Sequence, residues 1–351
     1  MASEAAERTS RRRLLKQVAA SAGLGMGALA VGCRRRGRRG HGPDGERRRL
    51  RAAFSTADLE STWSQSGRKA AMLWGEMLDV DVEWFDGEGD AQKQREKIEA
   101  IADDEWDFCA FQPHKTGILE EAVKRLKRRG IPVISMDTPL VERDRLRDVG
   151  VWVEVAPDHV YMAEVSAQYL ISRIDEQGKL IHIGGESGHR GAQDRDQGFS
   201  NIVSLYPDVE VVGGGVRWCD WDPQRAREAF EALLQESEEP IAGAFFHSDD
   251  MALACVPVLT GTRHESMVVA AVDGQKAGLT AVRDGKLAAT VVNPTGMIHG
   301  WSLIVGQFIV RNGESVDDLP LKIICPSTLV ARETGNLEAM FYLADPDHGL
   351  V

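Results

Sequence analysis

The chain has 351 residues, of which 43% are hydrophobic and 27% are charged, and its formal net charge is -12 at pH 7. This length and composition are typical of about two folded domains. Residues 1–51 carry 14 Lys and Arg against 4 Asp and Glu, whereas the remainder carries 28 basic and 50 acidic residues, a net charge of -22. A body this acidic repels phosphate groups, so we expect no nucleic-acid partner.

The N-terminal residues have the pattern of an export signal. The basic segment Ser10–Lys16 leads into an apolar stretch rich in Ala and Gly (14–31), which ends in small residues before Cys33. This order of charged, apolar and small residues is typical of secretory signals. A short membrane anchor is the alternative, but about 18 moderately apolar residues are marginal for crossing a bilayer.

Two short motifs refine this prediction. The Ser-Arg-Arg-Arg-Leu-Leu-Lys core resembles a twin-arginine signal, and the Ala-Val-Gly-Cys sequence that ends at Cys33 resembles a lipobox. The second resemblance implies that Cys33 is lipidated, although lipoboxes usually have leucine where this chain has Ala30. We assign residues 1–33 to the signal. The Gly- and Arg-rich residues 34–51 are expected to form a flexible tether beside an anionic membrane, with nucleic-acid binding as the alternative.

The body of the chain alternates short apolar runs with amphipathic stretches. In its first half, the runs at 51–55, 80–85, 106–111 and 132–136 predict strands, with helices at 64–78, 91–102 and 118–129 between them. After a strand-like link at 151–155, the alternation begins again and continues to about residue 311. Repeated βα units predict parallel strands joined by right-handed crossovers. We therefore predict two doubly wound, Rossmann-like α/β lobes.

Polar side chains follow six of the predicted strands. In Ala242–Leu253, the apolar run Ala244–Phe246 changes abruptly to His247-Ser248-Asp249-Asp250. Five other strands end in the same way, at Gln112, Asp137, Glu186, Asp273 and Asn293. A single turn of this kind is more often a helix cap. Because ligands bind beyond the carboxyl ends of parallel strands, the six together favour a polar ligand site.

From about Ala52 to Leu343, the chain resembles periplasmic sugar-binding proteins of the ribose-binding type, the soluble receptors of ABC importers. The matching passages include AVKRLKRRGIPVISMD (122–137), DRDQGF (194–199), HSDDMAL (247–253) and VDGQKAGLTAVRDGKLAATV (272–291). The resemblance implies a type I periplasmic binding protein with two lobes joined by a three-crossing hinge. One lobe holds 52–157 plus 294–323, and the other holds 158–293 plus 324–345.

The resemblance also implies which residues contact the ligand in the cleft between the lobes. These residues are Glu60, Ser61, Trp63, Gln112, Asp137, Arg195, Trp221, Ser248, Asp249, Asp273 and Asn293. Carboxylates, amides and a guanidinium suit sugar hydroxyls, which both donate and accept hydrogen bonds. The aspartates could instead be helix caps, Arg195 a surface or interlobe salt bridge, and Trp221 a core residue.

The chain also departs from the ribose-type pattern. The Asp-Arg pair that the pattern places after the third strand is Asp137-Thr138 here, and the Asn expected before Asp249 is Ser248. One lost buried hydrogen-bond partner costs about 1–3 kcal/mol, so these changes can alter the ligand. We expect a monosaccharide or polyol that is passed to an ABC permease, bound by a monomeric protein at the outer face of the membrane.

Other functions fit the sequence less well. A receptor that presents the ligand to a sensor or chemotaxis system, or a binder of a furanone or nucleoside, remains open. A repressor needs an N-terminal DNA-binding helix pair, and this chain has an export signal there. The sequence has no nucleophile motif and no metal-ligand spacing, so we expect no enzyme, catalytic residue, cofactor or metal. We interpret His182, His189 and His247 as structural or rim residues.

Overall fold

The computed structural model describes residues 48–345 and 347–348, so Cys33 and nearly all of the predicted signal and linker lie outside the described residues. In the first part of the chain, strands and α-helices alternate in the order β1 (Leu50–Thr56), α1 (Thr62–Met77), β2 (Val80–Asp86), α2 (Ala91–Ile101), β3 (Phe108–Phe111), α3 (Glu120–Arg128), β4 (Val133–Met136), α4 (Leu146–Val149) and β5 (Val151–Ala156). Strand β1 begins inside the predicted linker, and Arg48 just before it pairs with Asp107.

The second part of the chain continues the alternation. Its elements are α5 (His159–Arg173), β6 (Gly178–Gly184), α6 (Arg190–Val203), β7 (Val209–Val211), β8 (Arg217–Trp218), α7 (Pro223–Glu236), β9 (Gly243–Phe246), α8 (Asp249–Cys255), β10 (Val268–Asp273), α9 (Lys276–Asp284) and β11 (Ala289–Val292). The chain closes with α10 (Thr295–Asn312), β12 (Lys322–Ile324), β13 (Leu329–Ala331) and α11 (Leu337–Leu343). The sequence predicted only a short tail after residue 329, so α11 was missed.

These strands form two separate sheets. The first has the order β12-β5-β4-β3-β1-β2, and all of its neighbouring strands are parallel. The second has the order β13-β11-β10-β9-β6-β7, with β8 beside β6, and β13 is its antiparallel edge. The predicted fold of two parallel-sheet α/β lobes is therefore confirmed.

The chain passes between the two sheets three times. It crosses between β5 and β6, again between β11 and β12, and finally between β12 and β13. We call the part built on the first sheet, with α1–α4 and α10, the first lobe, and the rest the second lobe. Because all three crossings join the same two lobes, they form a hinge.

The central strands of both sheets are buried on both faces. In β3, Phe108 and Ala110 pack into one cluster of core residues, while Cys109 and Phe111 pack into another. In β9, Phe245 and Phe246 face opposite clusters in the same way. Side chains alternate across a strand, so a run that is apolar at every position identifies a strand covered on both sides. This is why the apolar runs predicted these strands correctly.

Candidate functional site

A cavity of about 1020 Å³ is lined by residues of both lobes. Ten of the eleven predicted ligand contacts line it, namely Glu60, Ser61, Trp63, Gln112, Asp137, Arg195, Trp221, Ser248, Asp273 and Asn293. Most of them stand at or just beyond the carboxyl ends of parallel strands, where open α/β sheets bind ligands. The structure thus brings together residues that are up to 233 positions apart in the chain.

Asp249 is the exception and corrects the prediction. Its side chain is fully buried and does not line the cavity. One carboxylate oxygen accepts from the backbone N–H of Gln275 at 2.9 Å, and the other accepts from the Thr290 hydroxyl at 2.7 Å. Ser248 caps α8, so the residue after it turns away from the cavity toward β10 and β11. Asp249 therefore supports the turn that follows Asp273 and does not face the cavity.

Asp137 forms the centre of the first-lobe side of the cavity. Gln112 Nε2 donates to one of its carboxylate oxygens at 3.0 Å, and His159 Nε2 lies 3.4 Å from the other. Burial alone raises the pKa of this carboxyl, but its interactions with His159, His189 and Arg195 together outweigh burial and hold the pKa below its usual range. Its backbone is left-handed, with φ 61°, a conformation that is uncommon for residues other than glycine and recurs at functional sites.

Arg195 occupies the second-lobe side, and only 3% of its surface is exposed. It donates to the backbone oxygen of His247, and Nη2 lies 3.5 Å from the Asp273 carboxylate. In the amide orientation that satisfies its neighbours, the Asn293 oxygen accepts from Arg195 Nη2 at 3.1 Å and from Trp63 Nε1 at 3.0 Å. Arg195 is thus fixed by partners from several elements, as expected of a preorganised donor.

Trp221 lies beside this guanidinium, whose carbon is 5.4 Å from the ring centroid. The ring packs directly on Gly185, where a Cβ would come within 2.3 Å of it. Asp220 and Trp221 both have positive φ, 52° and 59°, so the loop places the ring through an uncommon backbone conformation. An aromatic face held in this way suits the C–H face of a sugar.

Two predicted contacts also have a structural role. The Ser61 hydroxyl accepts from the backbone N–H of Ser64 at the start of α1, and the Ser248 hydroxyl accepts from that of Met251 at the start of α8. A capping hydroxyl uses a lone pair and keeps its proton available. Both serines can therefore cap a helix and donate to a ligand.

Sequence reasoning missed several contacts that cross the cleft. His114 Nε2 and Lys115 Nζ of the first lobe lie 3.1 and 2.7 Å from the Glu186 carboxylate of the second. The Thr62 hydroxyl donates to Asp250 at 2.6 Å. Burial opposes ionisation of Glu186, but the hydrogen bonds from His114 and Lys115 lower its pKa. His114 and Glu186 both follow predicted strands, so their positions were visible in the sequence although their pairing was not.

His182 and His247 lie buried beneath the cavity, and their contacts agree with the structural role predicted for them. His182 and His247 approach each other at 2.9 Å between their Nε2 atoms, and the backbone N–H of Gly185 donates to His247 Nδ1. Burial lowers the pKa of His182 to about 3 and that of His247 well below its usual value. This neutral pair supports the ends of β6 and β9, whereas His189 lines the cavity itself.

The cavity has an acidic balance. Eight carboxylates line it against four Lys and Arg side chains. Burial raises the pKa of Asp273 well above its usual value, and the nearby Arg195 only partly offsets this. A lining with more acceptors than cations suits a neutral ligand rich in hydroxyl donors and disfavours an anion.

The described residues hold neither a metal-ligand cluster nor a membrane-spanning helix. Within 48–345 and 347–348, no group of His, Cys, Asp and Glu side chains could hold a metal ion. In the same residues, no helix has the length and apolar character needed to cross a membrane. The four described cysteines, Cys109, Cys219, Cys255 and Cys325, are buried and unpaired.

Comparison with known proteins agrees with this architecture. The model of the periplasmic binding protein domain family matches residues 52–306. The ribose import binding protein RbsB of Bacillus subtilis is 24% identical over 254 residues, which cover 72% of this chain and 79% of the relative. The xylitol-binding protein of Mycolicibacterium smegmatis is 21% identical over 264 residues, which cover 75% of this chain and 73% of that protein.

Solved structures show the same fold. An ABC transporter solute binding protein of Mycobacterium smegmatis with bound glycerol is 26% identical and superposes with a TM-score of 0.73, covering 83% of this chain and 96% of that one. A galactofuranose binding protein, 17% identical, has a TM-score of 0.77 and covers 86% and 99% of the two chains. This chain therefore belongs to the periplasmic binding protein domain family, and the relatives that it resembles include binding proteins of the ribose type.

Proposed function

We propose that this protein captures a neutral sugar or polyol in the cavity between its lobes and delivers it to an ABC importer. The observation that carries the proposal is the convergence of Asp137 and Gln112 from one lobe with Arg195, Trp221 and Asp273 from the other around one cavity. Carboxylate, amide and guanidinium groups beside an aromatic ring match the hydroxyls and C–H faces of a sugar. The bound molecules of several relatives, glycerol, xylitol and ribose by their names, are of this class.

The proposed mechanism is a shift between open and closed states. A ligand that contacts both lobes binds the closed state more tightly, so it favours closure by the difference in affinity. The moving units are the first lobe and the second lobe, hinged at the three crossings. The Glu186 and Asp250 contacts across the cleft add to closure. The closed state then docks on its membrane partner.

In this proposal, the N-terminal residues determine where the protein is located. Residues 1–33 direct export, and Cys33 carries the lipid that holds a monomeric receptor at the outer face of the membrane. The residues between Cys33 and β1 then act as the tether. A sensor or chemotaxis receptor is the second candidate, since such a receptor captures its ligand in the same way. One of the solved structures similar to this chain is the fructose binding periplasmic domain of a hybrid two component system, and this similarity supports the second candidate.

A thermal-shift panel tests the ligand class. We expect residues 48–351 to be stabilised by at least one of D-ribose, xylitol, D-fructose, myo-inositol and L-arabinose, because a ligand that binds only the folded state raises Tm by mass action. At about 100 times Kd the gain is about 2.7 kcal/mol, or roughly 4 °C for a chain of this size.

Matched anions provide the control. D-ribose 5-phosphate and D-glucuronate should give no shift, because eight carboxylates line the cavity against four Lys and Arg side chains. A shift with an anion and none with any neutral sugar or polyol would contradict the proposed ligand class.

A further inference from the structure

Glu154 is a buried carboxylate on β5, the strand that ends at the first crossing between the lobes. It is 1% exposed, and β5 lies between β4 and β12 in the first sheet. Val153 and Val155 pack into the core cluster that includes residues of α10, so the alternation of side chains places Glu154 on the opposite face of the sheet. A carboxylate this deeply buried normally has a charged or hydrogen-bonding partner.

The cation beside Glu154 is Arg143, which precedes α4 in the same lobe. Arg143 Nε lies 3.7 Å from Glu154 Oε1, a separation that is too long for a hydrogen bond. Among the described residues, neither of these two buried atoms has a hydrogen-bond partner. The two side chains are therefore close to each other but not fully paired in this structure.

Arg143 instead pairs with the second lobe. Its Nη2 donates to one carboxylate oxygen of Asp194, on α6, at 2.9 Å. Arg190, one turn earlier on the same helix, donates to the other oxygen at 2.7 Å. Burial opposes ionisation of Asp194, but the charges and hydrogen bonds of Arg143 and Arg190 hold its pKa below its usual value. Asp194 therefore stays charged at neutral pH and attracts Arg143 from the other lobe.

Glu154 and Asp194 thus compete for one guanidinium. Asp194 moves away from Arg143 when the hinge opens, while Arg190 stays with it because both are on α6. Glu154 belongs to the same lobe as Arg143, so the released guanidinium can close the gap of 3.7 Å. Because a buried charge without a partner is costly, this exchange leaves each carboxylate with an arginine in both positions of the hinge.

We propose that Arg143 is an interlobe latch whose partner changes with the hinge, from Glu154 when the lobes are open to Asp194 when they are closed. The lobes also meet at Lys115 and Glu186, so this structure shows the closed position. The three residues of the latch are not among those that line the cavity. The inference rests on the hinge motion of the proposed function and not on its ligand.

Two substitutions that remove a charge and keep the shape test the latch. In Asp194→Asn the closed state loses a charged partner, so the ratio of closed to open molecules should fall about 3- to 30-fold. In Glu154→Gln the open state loses a charged partner, so the ratio should rise about 2- to 10-fold. A static ion-pair network predicts no such shift in opposite directions.

Pulsed electron spin resonance measures this ratio in the protein without added ligand. Spin labels on Glu96→Cys and Glu228→Cys, which replace exposed residues of α2 and α7, place one probe in each lobe. The four described native cysteines are buried, which favours labelling of the introduced ones. The distribution of distances between the labels then gives the closed and open populations.

Two further variants serve as controls. Glu142→Gln removes the same charge from an exposed pair between the lobes, with Arg190 at 3.6 Å, and should change the ratio by less than about twofold. Arg143→Met removes the latch itself. In its background, Asp194→Asn and Glu154→Gln should each change the ratio by less than about twofold.

The outcomes separate this inference from the proposed function. Opposite shifts that disappear in the Arg143→Met background support the latch. An unchanged ratio in either single variant, shifts in the same direction, or shifts that persist without Arg143 overturn it and leave the proposed ligand binding standing. If no neutral sugar or polyol binds the wild type, the proposed function fails, while the label distances still decide the latch.

Discussion

Replacing Arg195 with alanine should lower the affinity for the bound sugar or polyol by about 30-fold or more. Removing one member of a buried, hydrogen-bonded charge network costs about 2–5 kcal/mol of binding. Arg195 is 3% exposed and holds the His247 backbone, Asp273 and the Asn293 amide in place. Calorimetric titration of the panel member that stabilises the wild type measures the loss.

Asp137→Ala is the matched change in the first lobe. It removes the carboxylate that Gln112 and His159 position, so we expect a comparable loss of affinity. Arg225→Ala provides the control, because this residue also lines the cavity but pairs with Asp220 and is exposed. Unchanged affinity in Asp137→Ala or Arg195→Ala, with the fold intact, contradicts the assignment of the site.

Replacing Asp249 with asparagine should change how stability depends on pH. Burial raises the pKa of Asp249 from 3.8 to about 7. A folded pKa above the unfolded one means that the protonated carboxyl stabilises the protein. This stabilisation is fully present below about pH 4 and is lost as the pH rises through 7. Asparagine keeps the shape and does not titrate.

The difference in unfolding free energy between the variant and the wild type should therefore grow by about 2–4 kcal/mol in favour of the variant between pH 4 and pH 8. Urea denaturation across this range measures it. Asp250→Asn, at the next position, is the control, because its side chain is only partly buried and contacts Thr62. A difference that stays constant with pH contradicts the role assigned to buried Asp249.

The fold could be predicted because the sequence patterns that indicate its strands and helices are local. Runs such as Phe108–Phe111 and Gly243–Phe246 are apolar at every position, and this pattern is typical of a strand that is covered on both faces. Helix α11 was missed because it follows a strand that is an antiparallel addition at the sheet edge, outside the repeated βα pattern. Some strands begin or end one or two residues away from the predicted positions. Strand β10, for example, includes Asp273, which was predicted to follow the strand.

The site could be predicted only in part. Polar residues after the predicted strands indicated which strand ends meet at the cavity. Ten of the eleven expected contacts line it. Asp249 was placed incorrectly because the sequence does not show which of two adjacent carboxylates turns inward after a capping serine. The pairing of Lys115 with Glu186 depends on how the lobes meet, which no local pattern encodes.

The central claim is that one neutral sugar or polyol binds between the lobes and contacts both. The most direct test is a thermal-shift titration of the wild type, Asp137→Ala and Arg195→Ala in parallel, with the five neutral members of the panel. We predict a concentration-dependent rise in Tm for the wild type that is lost in both variants, one from each lobe. A rise of equal size in all three proteins would show that the ligand binds elsewhere and would contradict the account.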